Sequence, residues 1–132
     1  MAEDRKTSYW FELSEYDLET AQAMLQAKRY LYVGFMCHQA IEKILKGYYQ
    51  EKNGQLPPKT HNLRLLAQSS KIDDYFEEEQ RQCLRILEPL YIETRYPEFK
   101  DRIFKELTNE RCSDILQKTG ELHKWIKQKL ST

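Results

Sequence analysis

The chain has 132 residues, 40% of them hydrophobic and 32% charged, enough for one domain around one core and too few for two full-sized ones. Its 21 basic and 21 acidic residues cancel, which excludes gripping nucleic acid by bulk positive charge and leaves room for a local basic patch. The halves balance too, with nine basic against eight acidic residues up to Leu66 and twelve against thirteen after it.

Four glycines and four prolines leave little for turns, and no run of alternating β-branched residues occurs, so the periodicity is helical almost throughout. A first helix is expected over about Ser8–Ala27, with Phe11, Ser14, Leu18, Ala21 and Leu25 on one stripe. Asp17 falls inside that apolar arc, where a lone carboxylate is costly, so a structural ion pair is expected with Lys46 or Arg95 as the cation. Lys28-Arg29 is a very short link, which sets the second helix, about Tyr30–Lys52, antiparallel against the first. Asn53-Gly54 stops that helix and Pro57-Pro58 keeps the following residues extended.

Thr60 is the expected cap of a short helix through Leu63, Leu65 and Leu66. His61 at its start has two readings: a local capping role or, with Lys59 beside it, contact with an anion at unpaired backbone N–H groups. The acidic run Asp73–Glu79 reads as the N-terminus of a fourth helix, about Asp74–Ile92, burying Cys83, Leu84, Leu87 and Leu90. Pro97 prevents Glu93–Asp101 from being continuous helix. A fifth helix, about Phe104–Leu130, places Cys112, Ile115, Leu116, Thr119, Leu122 and Ile126 at core spacing, weakened slightly by Gly120. The expected architecture is all-α: an antiparallel up-and-down bundle of four long helices and one short one, a single domain over residues 8–130.

Cys37, Cys83 and Cys112 are odd in number, widely spaced and without a CxxC pair, which points to a reducing compartment rather than a disulfide framework or a zinc knuckle. The N-terminal MAEDRKTSYW has no apolar signal core and no segment reaches transmembrane length, so the cytoplasm is the expected location and no membrane partner is expected.

The second helix carries the most chemistry. Val33, Cys37, Ala40, Ile41, Ile44, Leu45 and Tyr48 share an apolar arc, while His38, Gln39, Glu42, Lys43 and Lys46 gather opposite, with Phe35 and Tyr49 among them. A histidine, an amide, two lysines and two rings are groups that read a polar ligand. The plainer reading is a solvated face, since Glu42 precedes Lys46 at the favourable i, i+4 spacing. No third side chain has the spacing to complete a zinc site with His38 and Glu42, so neither a metal nor another cofactor is expected. Nine tyrosines and two tryptophans exceed what a small bundle needs inside, which favours a bundle edge or a dimer surface. Arg95 sits in the turn-rich segment Glu93–Arg102, where a guanidinium fork matches phosphate geometry.

Four fragments in order, AQAML, CHQAIEKILKGYY, LPPKTHNL and YIETRYPEF, carry a resemblance to the HEPN family, the higher eukaryotes and prokaryotes nucleotide-binding domain, over Phe11–Ile126. The most specific piece is HQAIEKILK. The resemblance implies an antiparallel helical bundle that dimerises, binds nucleotides or RNA, and works beside a minimal nucleotidyltransferase partner protein in toxin–antitoxin-like systems. Many relatives are metal-independent ribonucleases that use an Arg-x4–6-His motif. No arginine stands at the permitted positions before His38 (Leu31 to Val33), His61 (Gly54 to Leu56) or His123 (Leu116 to Lys118). The chain therefore resembles the branch without that motif, and no catalytic residue is assigned.

The expected function is binding of a nucleotide or RNA phosphate by a homodimer, in a pocket walled by His38, Glu42, Lys43 and Lys46 and closed by His61 or Arg95, with Phe35 or Tyr49 for base stacking. The alternatives are a non-catalytic interaction module using the same face, or a ribonuclease with a non-standard pair such as His38 with Arg95.

Overall fold

Heptad-like apolar stripes on the long helices decide which element packs on which. The computed structural model describes residues 5–91 and 97–130. The order is α1 (Arg5–Gln26), α2 (Tyr30–Asn53), α3 (Leu63–Ser69), a 3-10 turn (Ile72–Tyr75), α4 (Glu78–Leu87), a second 3-10 turn (Glu88–Leu90), α5 (Pro97–Glu106) and α6 (Asn109–Leu130). The fold is all-α, a helical bundle, as the periodicity predicts.

α1 and α2 form a hairpin. Its link turns through Lys28, whose φ of 61° is left-handed, while Arg29 N–H donates to the Met24 carbonyl at 2.8 Å. Two side-chain bonds tie the pair: Ser14 Oγ donates to the Ala40 carbonyl at 2.6 Å, and Trp10 Nε1 donates to Gln50 Oε1 at 3.1 Å. The helices approach closely at Gly47, where an added Cβ would stand 2.6 Å from the Phe11 ring. Gly54 ends α2 with φ 65°, and its N–H donates to the Gln50 carbonyl.

α2 is the axis of the bundle: α1, α3, α4, α5 and α6 all touch it. Val33, Cys37, Ile41, Ile44 and Leu45 of α2 are fully buried, alongside Leu63 and Leu66 of α3, Leu87 of α4 and Cys112 and Ile126 of α6. The cysteines are core residues. Burial pushes the Cys37 and Cys83 thiols up to about 12 and Cys112 up to about 11, so none is a reactive thiolate.

Three boundaries depart from the sequence expectation. α3 starts at Leu63 with Asn62 as its cap, Asn62 Oδ1 accepting from Leu65 N–H at 3.0 Å; Thr60 Oγ1 instead accepts from Asn62 N–H at 3.1 Å. The expected fourth helix, about Asp74–Ile92, is shorter at both ends: Phe76 turns inward, Arg81 clamps the preceding turn through Asp73 Oδ1 at 2.8 Å and the Asp73 carbonyl at 3.0 Å, and after Leu87 the chain tightens into the 3-10 turn Glu88–Leu90. α4 then begins only at Glu78, with Glu77 N–H donating to Gln80 Oε1 at 2.8 Å. The expected fifth helix is two. Leu107 is buried between them, and Thr108 Oγ1 accepts from Arg111 N–H at 3.2 Å to start α6. Pro97 opens α5, a position where its missing N–H costs nothing.

Candidate functional site

His38, Glu42 and Lys46 stand at successive four-residue steps of α2 and so lie one above another. All three are buried, at 0%, 3% and 8% exposure. This corrects the plainer reading of a solvated face for these three residues: the row runs through the interior, while Gln39 and Lys43 beside it are partly exposed.

Glu42 is the hub of the row. Its Oε2 accepts from Lys46 Nζ at 3.0 Å and its Oε1 lies 2.9 Å from His61 Nδ1. An ionised carboxylate only accepts, so His61 Nδ1 carries the proton and Nε2 is left for another partner. The His61 side chain is 51% exposed, which makes it the open end of an otherwise sealed network. Its ring stacks on Tyr91, with centroids 4.3 Å apart and planes 18° apart. Tyr91 is also 5.2 Å from the His38 ring and 5.8 Å from Phe35. At the other end, Lys46 Nζ lies 5.5 Å over the Trp10 ring.

His38 is the anomaly. Neither of its ring nitrogens has a hydrogen-bond partner among the described residues. Glu42 Oε1 is 3.8 Å from Nδ1, beyond hydrogen-bond range. Burial lowers the His38 pKa to about 4; Glu42 is the main opposing influence, the His61 charge pushes further down, and the His61 backbone and Lys46 act less, upward and downward. His38 is therefore neutral at pH 7, and its approach to Glu42 is not an ion pair.

The structure brings together His38, Glu42, Lys46 and His61 of the expected site, and it separates Lys43 from them. Lys43 Nζ donates to Asp17 Oδ2, and that carboxylate is buried on α1. The cation facing Asp17 is thus Lys43; Lys46, the expected one, faces Glu42. Arg95 lies outside the described residues. His61 is not a helix cap, since it precedes the capping Asn62. Two residues beside the row were not assigned to it from the sequence: Trp10, one of the two tryptophans read as bundle edge or dimer surface, and Tyr91, the first residue of the YIETRYPEF fragment.

Chemically, the row is a buried ion pair whose carboxylate orients one half-exposed imidazole. Among the described residues no three His, Cys, Asp or Glu side chains gather as a metal site, and no helix is long and apolar enough to cross a membrane. The chain matches the HEPN domain family over residues 7–129. Its fold is similar to the crystal structure of an archaeal HEPN homologue, with a TM-score of 0.69 and 17% identity, covering 94% of this chain and 97% of that one. No curated protein matches it.

Proposed function

From the premise that this chain belongs to the HEPN domain family, we propose that it binds the phosphate of a nucleotide or RNA at the open end of the α2 row. The observation that carries this is the Glu42–His61 pair. A buried carboxylate holds Nδ1 of a half-exposed imidazole, so Nε2, when protonated, is a fixed donor for a phosphate oxygen. The stack of His61 on Tyr91 supplies an aromatic surface beside it, the kind of platform on which bases lie. Lys46 neutralises Glu42 from within and does not meet the ligand.

The protein acts in this reading as a cytoplasmic homodimer, beside a minimal nucleotidyltransferase partner in a toxin–antitoxin-like pair. Support for self-association comes from α1, where Tyr9 and Tyr16 are 57% and 67% exposed, two helical turns apart on one side. Sedimentation at high micromolar concentration tests it; a species of 16.0 kDa counts against it.

Calorimetric titration with a nucleotide panel tests the site, on the unaltered protein and on His61→Ala. Millimolar or tighter binding that His61→Ala removes is the expected result. If no nucleotide binds while Phe35→Glu converts a dimer to monomers, the face is an interaction surface and the binding reading fails. One observation favours a second, catalytic reading: a carboxylate orienting a solvent-facing imidazole is also an acid–base dyad. Robust metal-free RNA cleavage abolished by His61→Ala would establish it.

A further inference from the structure

A second opening, of about 500 Å³, lies between α3 and α4. Arg64 of α3 and Arg81 and Arg85 of α4 line it, the last two on consecutive turns. The three arginines are not equivalent. Arg81 is committed to the scaffold: Nη1 donates to Asp73 Oδ1 at 2.8 Å, and Nη2 donates to the Asp73 and Phe76 carbonyls at 3.0 and 3.5 Å. Arg85 pairs with Glu78, but the two side chains are 60% and 77% exposed, so the pair is worth little and yields to an incoming anion. The Arg64 guanidinium has no partner among the described residues; only its backbone N–H is engaged, by Glu88 Oε1 at 3.0 Å.

Three arginines line this groove against two carboxylates: Asp73, matched by Arg81, and Glu88, which keeps its charge while accepting the Arg64 backbone N–H. Arg64 and Arg85 remain as available forks. Arg64 follows His61 by three residues, so their Cα atoms lie within about 10 Å of each other. The groove and the open end of the α2 row share one short segment, residues 61–64.

We propose that the α3–α4 groove is a second phosphate subsite, and that the ligand is a single-stranded oligonucleotide rather than a free nucleotide. One phosphate meets His61, and a neighbouring phosphate of the same strand meets the guanidinium forks of Arg64 and Arg85. The inference rests on the reading that His61 meets a nucleotide phosphate. It also reconciles zero net charge with nucleic-acid binding: two or three local phosphate contacts suffice for a modest, salt-sensitive affinity.

The experiment pairs fluorescence anisotropy on a labelled single-stranded RNA oligonucleotide with calorimetry on adenosine monophosphate. Both are run on the unaltered protein, on His61→Ala, on the double variant Arg64→Gln/Arg85→Gln, and on Lys105→Gln of α5 as a charge control. Arg64 and Arg85 are exposed, so their replacement leaves the helix content unchanged, which circular dichroism verifies. The double variant is expected to weaken the oligonucleotide about tenfold or more, lower the salt slope by about 0.7 to one, and leave the mononucleotide unaffected. Lys105→Gln is expected to change neither. Oligonucleotide affinity and salt slope unchanged in the double variant, or reduced equally by Lys105→Gln, overturn the subsite while leaving the His61 reading intact. Arginine-dependent oligonucleotide binding that ignores His61→Ala, with no mononucleotide binding, overturns the His61 reading and leaves the groove as the binding surface. Absence of both ligands from the unaltered protein overturns both.

Discussion

α2 and α6 are helices of 24 and 22 residues, and each turns a histidine inward, yet they dispose of their polar residues in opposite ways. On α6 the polar stripe meets water. Asp114 lies 3.8 Å from Arg111 and 3.1 Å from Lys118, and all three side chains are close to half exposed. On α2 the same i, i+4 chemistry, Glu42 with Lys46, is shut inside and extended sideways to His61 of another segment. A helix packed along one stripe keeps its charges as a solubility device. A helix packed on most of its sides turns them into a network whose loss the protein feels. The difference teaches that amphipathicity alone does not say which side of a helix is the surface.

The largest expected effect separates the two carboxylates. Glu42→Ala leaves Lys46 buried without its counter-charge and is expected to cost about 3–5 kcal/mol, whereas Asp114→Ala is expected to stay within about 0.5 kcal/mol. Urea denaturation compares them, and equal costs would break the distinction between the helices.

The next test uses pH. The His38 pKa in the folded protein lies below its ordinary 6.5, at about 4, because burial disfavours the charged ring. The unfolded chain therefore binds the proton first. Stability carried by neutral His38 is complete above pH 6.5 and drains away as pH falls toward 4, by up to about 3 kcal/mol. His123 is shifted downward by burial as well and acts with the same sign. Urea midpoints measured from pH 7 to pH 4 are expected to fall steeply, and His38→Gln should flatten that fall. A profile that His38→Gln leaves unchanged would locate the acid sensitivity elsewhere.

The smallest effects have opposite signs. At Gly47 an added methyl meets the Phe11 ring at 2.6 Å. Overpacking of about 1–3 kcal/mol then outweighs a helix-propensity gain of about 1 kcal/mol. At Gly120 nothing lies within 4 Å of the added carbon, so Gly120→Ala is expected to stabilise by about 0.5–1 kcal/mol. Thermal unfolding of the two variants should move in opposite directions. A stabilising Gly47→Ala would mean that α1 slides over α2 rather than locking against it.

Much of the fold was legible because helical periodicity is local. The apolar arc from Val33 to Tyr48, the stop at Gly54 and the tight Lys28-Arg29 link all follow from residues within a turn or two of one another. The breaks in the later helices were less legible. Ile72, Phe76 and Leu107 are ordinary members of a helical pattern until the core they turn toward is present. For the candidate site, the grouping of His38, Glu42 and Lys46 was visible as a stripe. His61 was one of two residues expected to close it, but its contact with Glu42, and the Tyr91 and Trp10 rings beside the row, were not visible.

Residue order thus determined the all-α class, the α1–α2 hairpin and the membership of each stripe, since those depend on spacing along one helix. Tertiary structure alone decided that the stripe is buried, that Asp17 takes Lys43 across 26 residues, that His61 closes on Glu42 across 19, and that Tyr91 lies under His61. The physical reason is that a helical period says which side chains point the same way, while burial and ion pairing depend on how many other helices come to cover that direction.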